Sequence, residues 1–172
     1  MDRRDVPGSW PGPLAPVRVI GIGRRERGDD SVGREVARRL AASPPEGVWV
    51  TECAGEFATL LELWEGARAV IVVDALQGGR PPGTLMRIDA HVEPLPVPAS
   101  SSTHGFGLAE AVEIARALRR LPEVLVVHGV EGARFEAGEA LSPAVAAAVE
   151  PLTAAVRQEA EALAGRLIHP SR

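Results

Sequence analysis

The chain has 172 residues, enough for one domain with a substantial core, and its 45% hydrophobic content matches the globular average. A formal net charge of −4 disfavours long-range attraction to nucleic acid or anionic membrane. All 19 basic residues are arginine, and the absence of Lys, Tyr and Asn removes Schiff-base and Walker lysines and a tyrosine acid.

Residues 1–14 read as a mobile Pro/Gly-rich arm, neither a signal peptide nor a membrane span. Residues 15–169 are expected to form a single α/β domain. Val17 to Ile22 reads as a buried strand. Asp29 and Asp30 open the next helix, where Val32, Val36 and Leu40 recur at helical spacing until Ser43-Pro44-Pro45. Val48 to Thr51 is a second strand, and Phe57 to Trp64 a short helix closed by Gly66. Ala69 to Val73 is the clearest buried strand and ends at Asp74. Thr84 to Ile88 reads as a shorter strand, antiparallel at an edge.

A Pro/Ser-rich loop covers residues 90–103. Leu108, Val112, Ala115 and Leu118 define a helix with Ser102 or Thr103 as its N-cap. Val124 to Val127 is the last core strand. Residues 142–167 are Ala-rich and helical, with a break or restart expected at Pro151. This alternation predicts a mainly parallel sheet covered on both faces.

Ligands of open α/β sheets bind beyond the carboxyl ends of the strands. The sequence sends Asp29, Asp30, Glu52, Cys53, Glu56, Asp74 and His128 to that edge, and the long loop supplies His104. Asp74 is the sharpest signal, because a carboxylate after five apolar residues is costly unless paired, hydrogen-bonded or metal-bound. A structural carboxylate fed by backbone N–H groups is the alternative. Asp29 and Asp30 suit an N-cap and a first-turn acid, although one can cap while the other projects into the crevice. A helix N-terminus beside His104 would keep its imidazole neutral, the metal-binding form, whereas a plain surface histidine is the simpler reading. Together Asp30, Asp74 and His104 make a mixed O/N set suited to zinc, nickel or a similar divalent ion.

Other candidates are weaker. His91, His128 and His169 read as structural or exposed. Cys53 cannot form an internal disulfide, suits a reducing cytoplasm and, if buried, is inert. Ser31 does not fit a nucleophile elbow. Gly21-Ile22-Gly23 invites a dinucleotide reading, but the third glycine of that fingerprint falls on Glu26.

Several segments then converge. Gly21-Ile22-Gly23, Arg27-Gly28-Asp29-Asp30, Val32-Gly33, Val72-Val73-Asp74-Ala75, Pro82-Gly83-Thr84 and Thr103-His104-Gly105-Phe106-Gly107-Leu108 occur in the order found in the [NiFe]-hydrogenase maturation endopeptidases. With His128-Gly129-Val130-Glu131 and Leu141-Ser142-Pro143, the chain resembles that family over roughly residues 17–152.

The resemblance implies a three-layer αβα sandwich, phosphorylase/hydrolase-like, with a mixed, mainly parallel five-stranded sheet. It implies a cytoplasmic, aspartic-type hydrolase that trims the C-terminal peptide from the hydrogenase large-subunit precursor after nickel insertion. Asp30, Asp74 and His104 fall on the family's metal-contacting and catalytic positions. The nickel comes with the substrate, and zinc or cadmium would fit the same set in vitro. The expected partner is the precursor, not nucleic acid or membrane. Two departures stand out: Arg24 replaces the family's Asn, and Glu52-Cys53-Ala54-Gly55-Glu56 replaces its Asp-Gly-Gly-Thr stretch. They keep open a non-cleaving checkpoint that binds the large subunit, while a nucleotide- or tRNA-acting enzyme is the more distant alternative.

Overall fold

The computed structural model describes residues 15–97 and 107–168. The expected arm at 1–14, the Ser102/Thr103 caps, His104 and His169 lie outside the described residues. In chain order the elements are β1 (Val17–Ile22), a 3-10 turn (Gly28–Ser31), α1 (Val32–Ala41), β2 (Val48–Cys53), α2 (Phe57–Trp64) and β3 (Ala69–Leu76). β4 (Leu85–Asp89), α3 (Leu108–Ala117), β5 (Val124–Glu131) and α4 (Pro143–Ile168) follow.

The strands form one five-stranded sheet in the order β2-β1-β3-β5-β4. All pairings are parallel except β4 with β5, so the expected mixed sheet with an antiparallel edge strand is what forms. Strand side chains alternate between the two faces. Val17, Val19, Ile71 and Val73 meet α1 and α4 on one face, and Ile20, Ile22, Val70 and Val72 meet α2 and α3 on the other. The result is the three-layer αβα sandwich. Arg18 breaks the apolar pattern of β1, but it donates to Leu63 O at 2.6 Å and Glu65 O at 2.8 Å, satisfying carbonyls at the C-terminal end of α2.

Two glycines set the depth at which α1 sits. A Cβ on Gly33 would lie 2.2 Å from Val73 O and 2.3 Å from Ile22 O, and one on Gly21 would lie 2.1 Å from Gly33 O. The first turn of α1 therefore rests directly on the backbones of β1 and β3. That is why the glycines near the first strand end belong to helix–sheet packing.

Several boundaries differ from expectation. α3 begins at Leu108 with Gly107 as its N-cap, so neither Ser102 nor Thr103 can cap it, and Leu118 is its C-cap residue. α4 runs unbroken through Pro151. An interior proline costs about 3 kcal/mol. Here it is exposed, as is Ala147, whose carbonyl loses its helical donor to it and is left to water. Val145, Val149, Leu152, Val156 and Leu163 are buried along the same helix. At roughly 1.5–3 kcal/mol per buried side chain, they outweigh the local penalty. Strands β3 and β5 also run past Asp74 and Val127, to Leu76 and Glu131. Among the described residues no helix is long and apolar enough to cross a membrane.

Candidate active site

The carboxyl edge of the sheet is stepped. β1 and β2 stop at Ile22 and Cys53, whereas β3 and β5 continue for two residues beyond the row of Asp74 and Gly129. Asp74 therefore sits on the step, beside the end of β1. Its parity with Val70 and Val72 turns its side chain to the α2/α3 face. It is 9% exposed, and burial pushes its pKa up to about 8. The charge of nearby Asp30 adds to the rise, and the Ala75 N–H opposes it.

Asp30 reaches this step from the 3-10 turn that follows β1. The Arg24 N–H donates to its Oδ2 at 2.8 Å, so the family-departing Arg24 orients Asp30 through its backbone. Gly23 permits the compact loop: its φ is +150° and a Cβ there would lie 1.9 Å from Asp30 O. Among the described residues no arginine or histidine forms an ion pair with Asp30 or Asp74. Two carboxylates on one step, one of them buried, give a site that favours an incoming cation and can hold a proton near neutral pH.

Asp29 has a different task. It is fully buried and accepts from Ala133 N–H at 2.7 Å, Arg134 N–H at 3.0 Å, Ser142 N–H at 2.7 Å and Ser142 Oγ at 2.9 Å. Burial raises its pKa, but these four hydrogen bonds outweigh burial and hold it below the usual carboxylate range. Neither Asp29 nor Asp30 caps the turn through its side chain, contrary to the N-cap expectation. Asp29 instead clasps the β5–α4 connection onto the turn that carries Asp30, a contact about a hundred residues away in sequence that no local pattern shows.

Glu131 is a second clasp, and it was missed by the sequence reading. It is buried and accepts from Gly78 and Gly79 N–H, both at 2.9 Å, tying down the loop after β3. The signal was available: an acid ending an apolar strand, as at Asp74.

The other edge candidates do not join Asp30 and Asp74. Glu52 pairs with Arg34 at 2.6 Å and Arg25 at 3.9 Å. The Cys53 thiol is buried and pushed upward in pKa, chiefly by desolvation, so it is a poor nucleophile. Glu56 is the exposed residue preceding α2 and makes no side-chain cap. His128 is not at the edge, because β5 continues past it; it faces α4 and contacts Glu159 at 2.5 Å. His91 Nε2 bonds Pro122 O at 2.9 Å, and the Ser31 hydroxyl donates to Gly28 O at 2.8 Å. Among the described residues no group of three His, Cys, Asp or Glu is placed to hold a metal. The third member of the expected set, His104, lies outside them. The described part of α3 starts four residues after it, so the expected neutralising effect of a helix N-terminus on His104 has no support from that helix.

An αβα domain with paired acids at the carboxyl edge belongs to the class of open-sheet α/β proteins, whose ligands bind at that edge. A family model, HycI, described as hydrogenase maturation protease, matches residues 34–159. The chain belongs to the hydrogenase maturation protease family. The matched span contains Asp74 and His104 and begins four residues after Asp30. The chain is 29% identical over 147 residues to the hydrogenase expression/formation protein HupD of Rhodobacter capsulatus, covering 83% of this chain and 70% of that protein. Its fold is similar to the hydrogenase maturating endopeptidase HybD of E. coli, with TM-score 0.64 and 25% identity over 83% of this chain and 93% of that one. It also resembles a hydrogenase 2 maturation peptidase from a Thaumarchaeota archaeon, with TM-score 0.60 and 27% identity over 86% and 98% of the two chains.

Proposed function

We propose that this chain is a cytoplasmic endopeptidase that removes the C-terminal peptide of a [NiFe]-hydrogenase large-subunit precursor once nickel is in place. It reads the nickel carried by that substrate through Asp30, Asp74 and His104. The observation that supports this most is the acid pair: Asp74 is buried next to the charge of Asp30, with no cation from the described residues to offset either.

Such a pair is poorly satisfied alone. Desolvation and like charge both oppose ionisation of Asp74, and a divalent cation delivered by the substrate relieves both. His104 precedes Leu108 by four residues, and Leu108 packs in the same core cluster as Val72 and Leu76. A correctly loaded precursor then brings its scissile bond to the step. The cation supplies polarisation of the carbonyl or of water. A carboxylate of the pair can take up or return the proton of an attacking water. Zinc or cadmium would suit the same donors in vitro.

Incubation with nickel-loaded and nickel-free precursor, read by intact mass, tests this. Only the loaded precursor should be shortened. Equal cleavage of both overturns metal-gated recognition, and a stable complex with unshortened, loaded precursor assigns the chain to a checkpoint role.

A further inference from the structure

β4 forms one border of the sheet, and its strand partner is β5. Glu131 N–H donates to Thr84 O at 2.9 Å, and Ala90 N–H donates to Leu125 O at 3.0 Å. Residues of an antiparallel pair alternate between bonding across and facing away. Thr84, Met86, Ile88 and Ala90 therefore bond toward β5, while Leu85 and Arg87 turn their backbone N–H and C=O groups outward; the Asp89 carbonyl accepts from Val92 and Glu93 N–H.

Between this edge and Glu93–Pro96 runs a groove of about 490 Å³. The segment across the groove, which carries Pro94 and Pro96, is not a strand of the sheet. One large apolar side chain of the lining, Leu85, is 39% exposed. Among the described residues none bonds the outward N–H and C=O groups of Leu85 and Arg87, and such groups beside a groove make a strand-binding surface. Arg80 lines the groove near the end where β4 begins and has no ion pair among the described residues.

Register links this edge to the acid pair. Asp74 is paired with Gly129, and Gly129 with Met86, so the three share one row across the sheet. At about 4.8 Å per strand, Met86 lies roughly 10 Å from Asp74 and an added strand roughly 14 Å away. About four extended residues carry a chain from that added strand to the step.

Resting on the processing activity proposed above, we infer that the open edge of β4 docks the extended segment of the precursor that flanks its cleavage site. The segment pairs as a sixth strand with the backbones of Leu85 and Arg87. It sets an acidic group opposite Arg80.

The test uses the full chain and the nickel-loaded precursor. Leu85→Pro removes one outward donor without touching the β5 ladder. It should raise KM at least tenfold with kcat within twofold, while Leu85→Ala, which keeps the N–H, stays within threefold of the parent. Arg80→Glu should raise KM at least fivefold. Unchanged KM in folded Leu85→Pro, or equal losses in Leu85→Pro and Leu85→Ala, overturns the inference. Hydrogen exchange of the unmutated protein, saturated with a synthetic peptide spanning the cleavage site, gives an arm that needs neither variant. The Leu85 and Arg87 amides should slow at least tenfold. No slowing, or slowing produced by protein concentration alone, overturns the inference, and the latter assigns the edge to a second copy. If the unmutated protein leaves loaded precursor uncut, the processing activity fails, while the exchange arm still reports on the edge.

Discussion

Asp29 and Asp74 are both buried carboxylates near the carboxyl edge of one sheet, yet their pKa values move in opposite directions. Asp29 is desolvated but receives three backbone N–H groups and a hydroxyl, and it stays ionised. Asp74 is desolvated, faces the charge of Asp30 and receives the Ala75 N–H, and it rises to about 8. Burial alone therefore says little about role. The partners decide it: a carboxylate the fold satisfies is structural, and one the fold leaves wanting is available to a ligand.

The largest expected effect breaks the comparison at its functional side. Asp74→Ala and His104→Ala should each lower precursor processing by about 10²–10⁴-fold, the range for a general acid–base or charge-stabilising group. Neither should unfold the protein. Full processing by either variant, measured by intact mass, would remove that residue from the site.

Asp29→Ala breaks the structural side. It leaves Ala133, Arg134 and Ser142 N–H groups without their acceptor and frees the β5–α4 connection. The expected loss is roughly 3–5 kcal/mol in denaturant unfolding, as for removing one partner of a buried charged network. A loss below about 1 kcal/mol would show that the clasp is dispensable.

Much of the contrast was legible in the sequence, though not all of it. The five strands and the acid at the end of the β3 apolar run follow from local periodicity. What Asp29 does was not legible, since its partners lie at residues 133–142 and cooperate only in the folded chain. Glu131 carried the same sign as Asp74, an acid closing an apolar strand, and only the Gly78 and Gly79 amides reveal that it is satisfied. Pro151 reads as a break from local helix propensity alone, and the buried face of α4 overrides it. His128 misled because β5 is longer than its β-branched run, which places the imidazole inside the strand.

A pH experiment sharpens the comparison further. The folded pKa of Asp74 is raised, so the native state binds more protons than the unfolded one between about pH 4 and pH 8. Its contribution makes stability fall as pH rises through that window and level off above it. Asp74→Asn removes the cost and should stabilise the fold by roughly 1–4 kcal/mol at pH 8, while processing is lost. A destabilised Asp74→Asn protein would mean that the fold, not a ligand, needs the charge.

The smallest effect comes from a third carboxylate that lies away from the edge. Glu159 on α4 is bound by Arg87 on β4, through bonds of 3.1 and 3.0 Å from its Nε and 2.5 Å from a terminal nitrogen, and by His128 Nε2 at 2.5 Å. Burial raises its pKa, but hydrogen bonds from Arg87 and His128, together with their charge, lower it overall. If partners rather than depth set the direction, Glu159 should behave as Asp29 does and oppositely to Asp74. Its folded pKa is depressed, so its contribution is fully present above the unfolded value near pH 4.5 and is lost as pH falls through the folded value. Arg87 is half exposed, which screens the pair, so Glu159→Gln should cost only about 1 kcal/mol at pH 7. That cost should shrink on acidification, as the parent carboxylate itself becomes protonated on passing its lowered pKa. A Glu159→Gln penalty that grows on acidification would contradict the sign shared with Asp29, and would mean that the Arg87–His128 pair does not hold Glu159 in its ionised form.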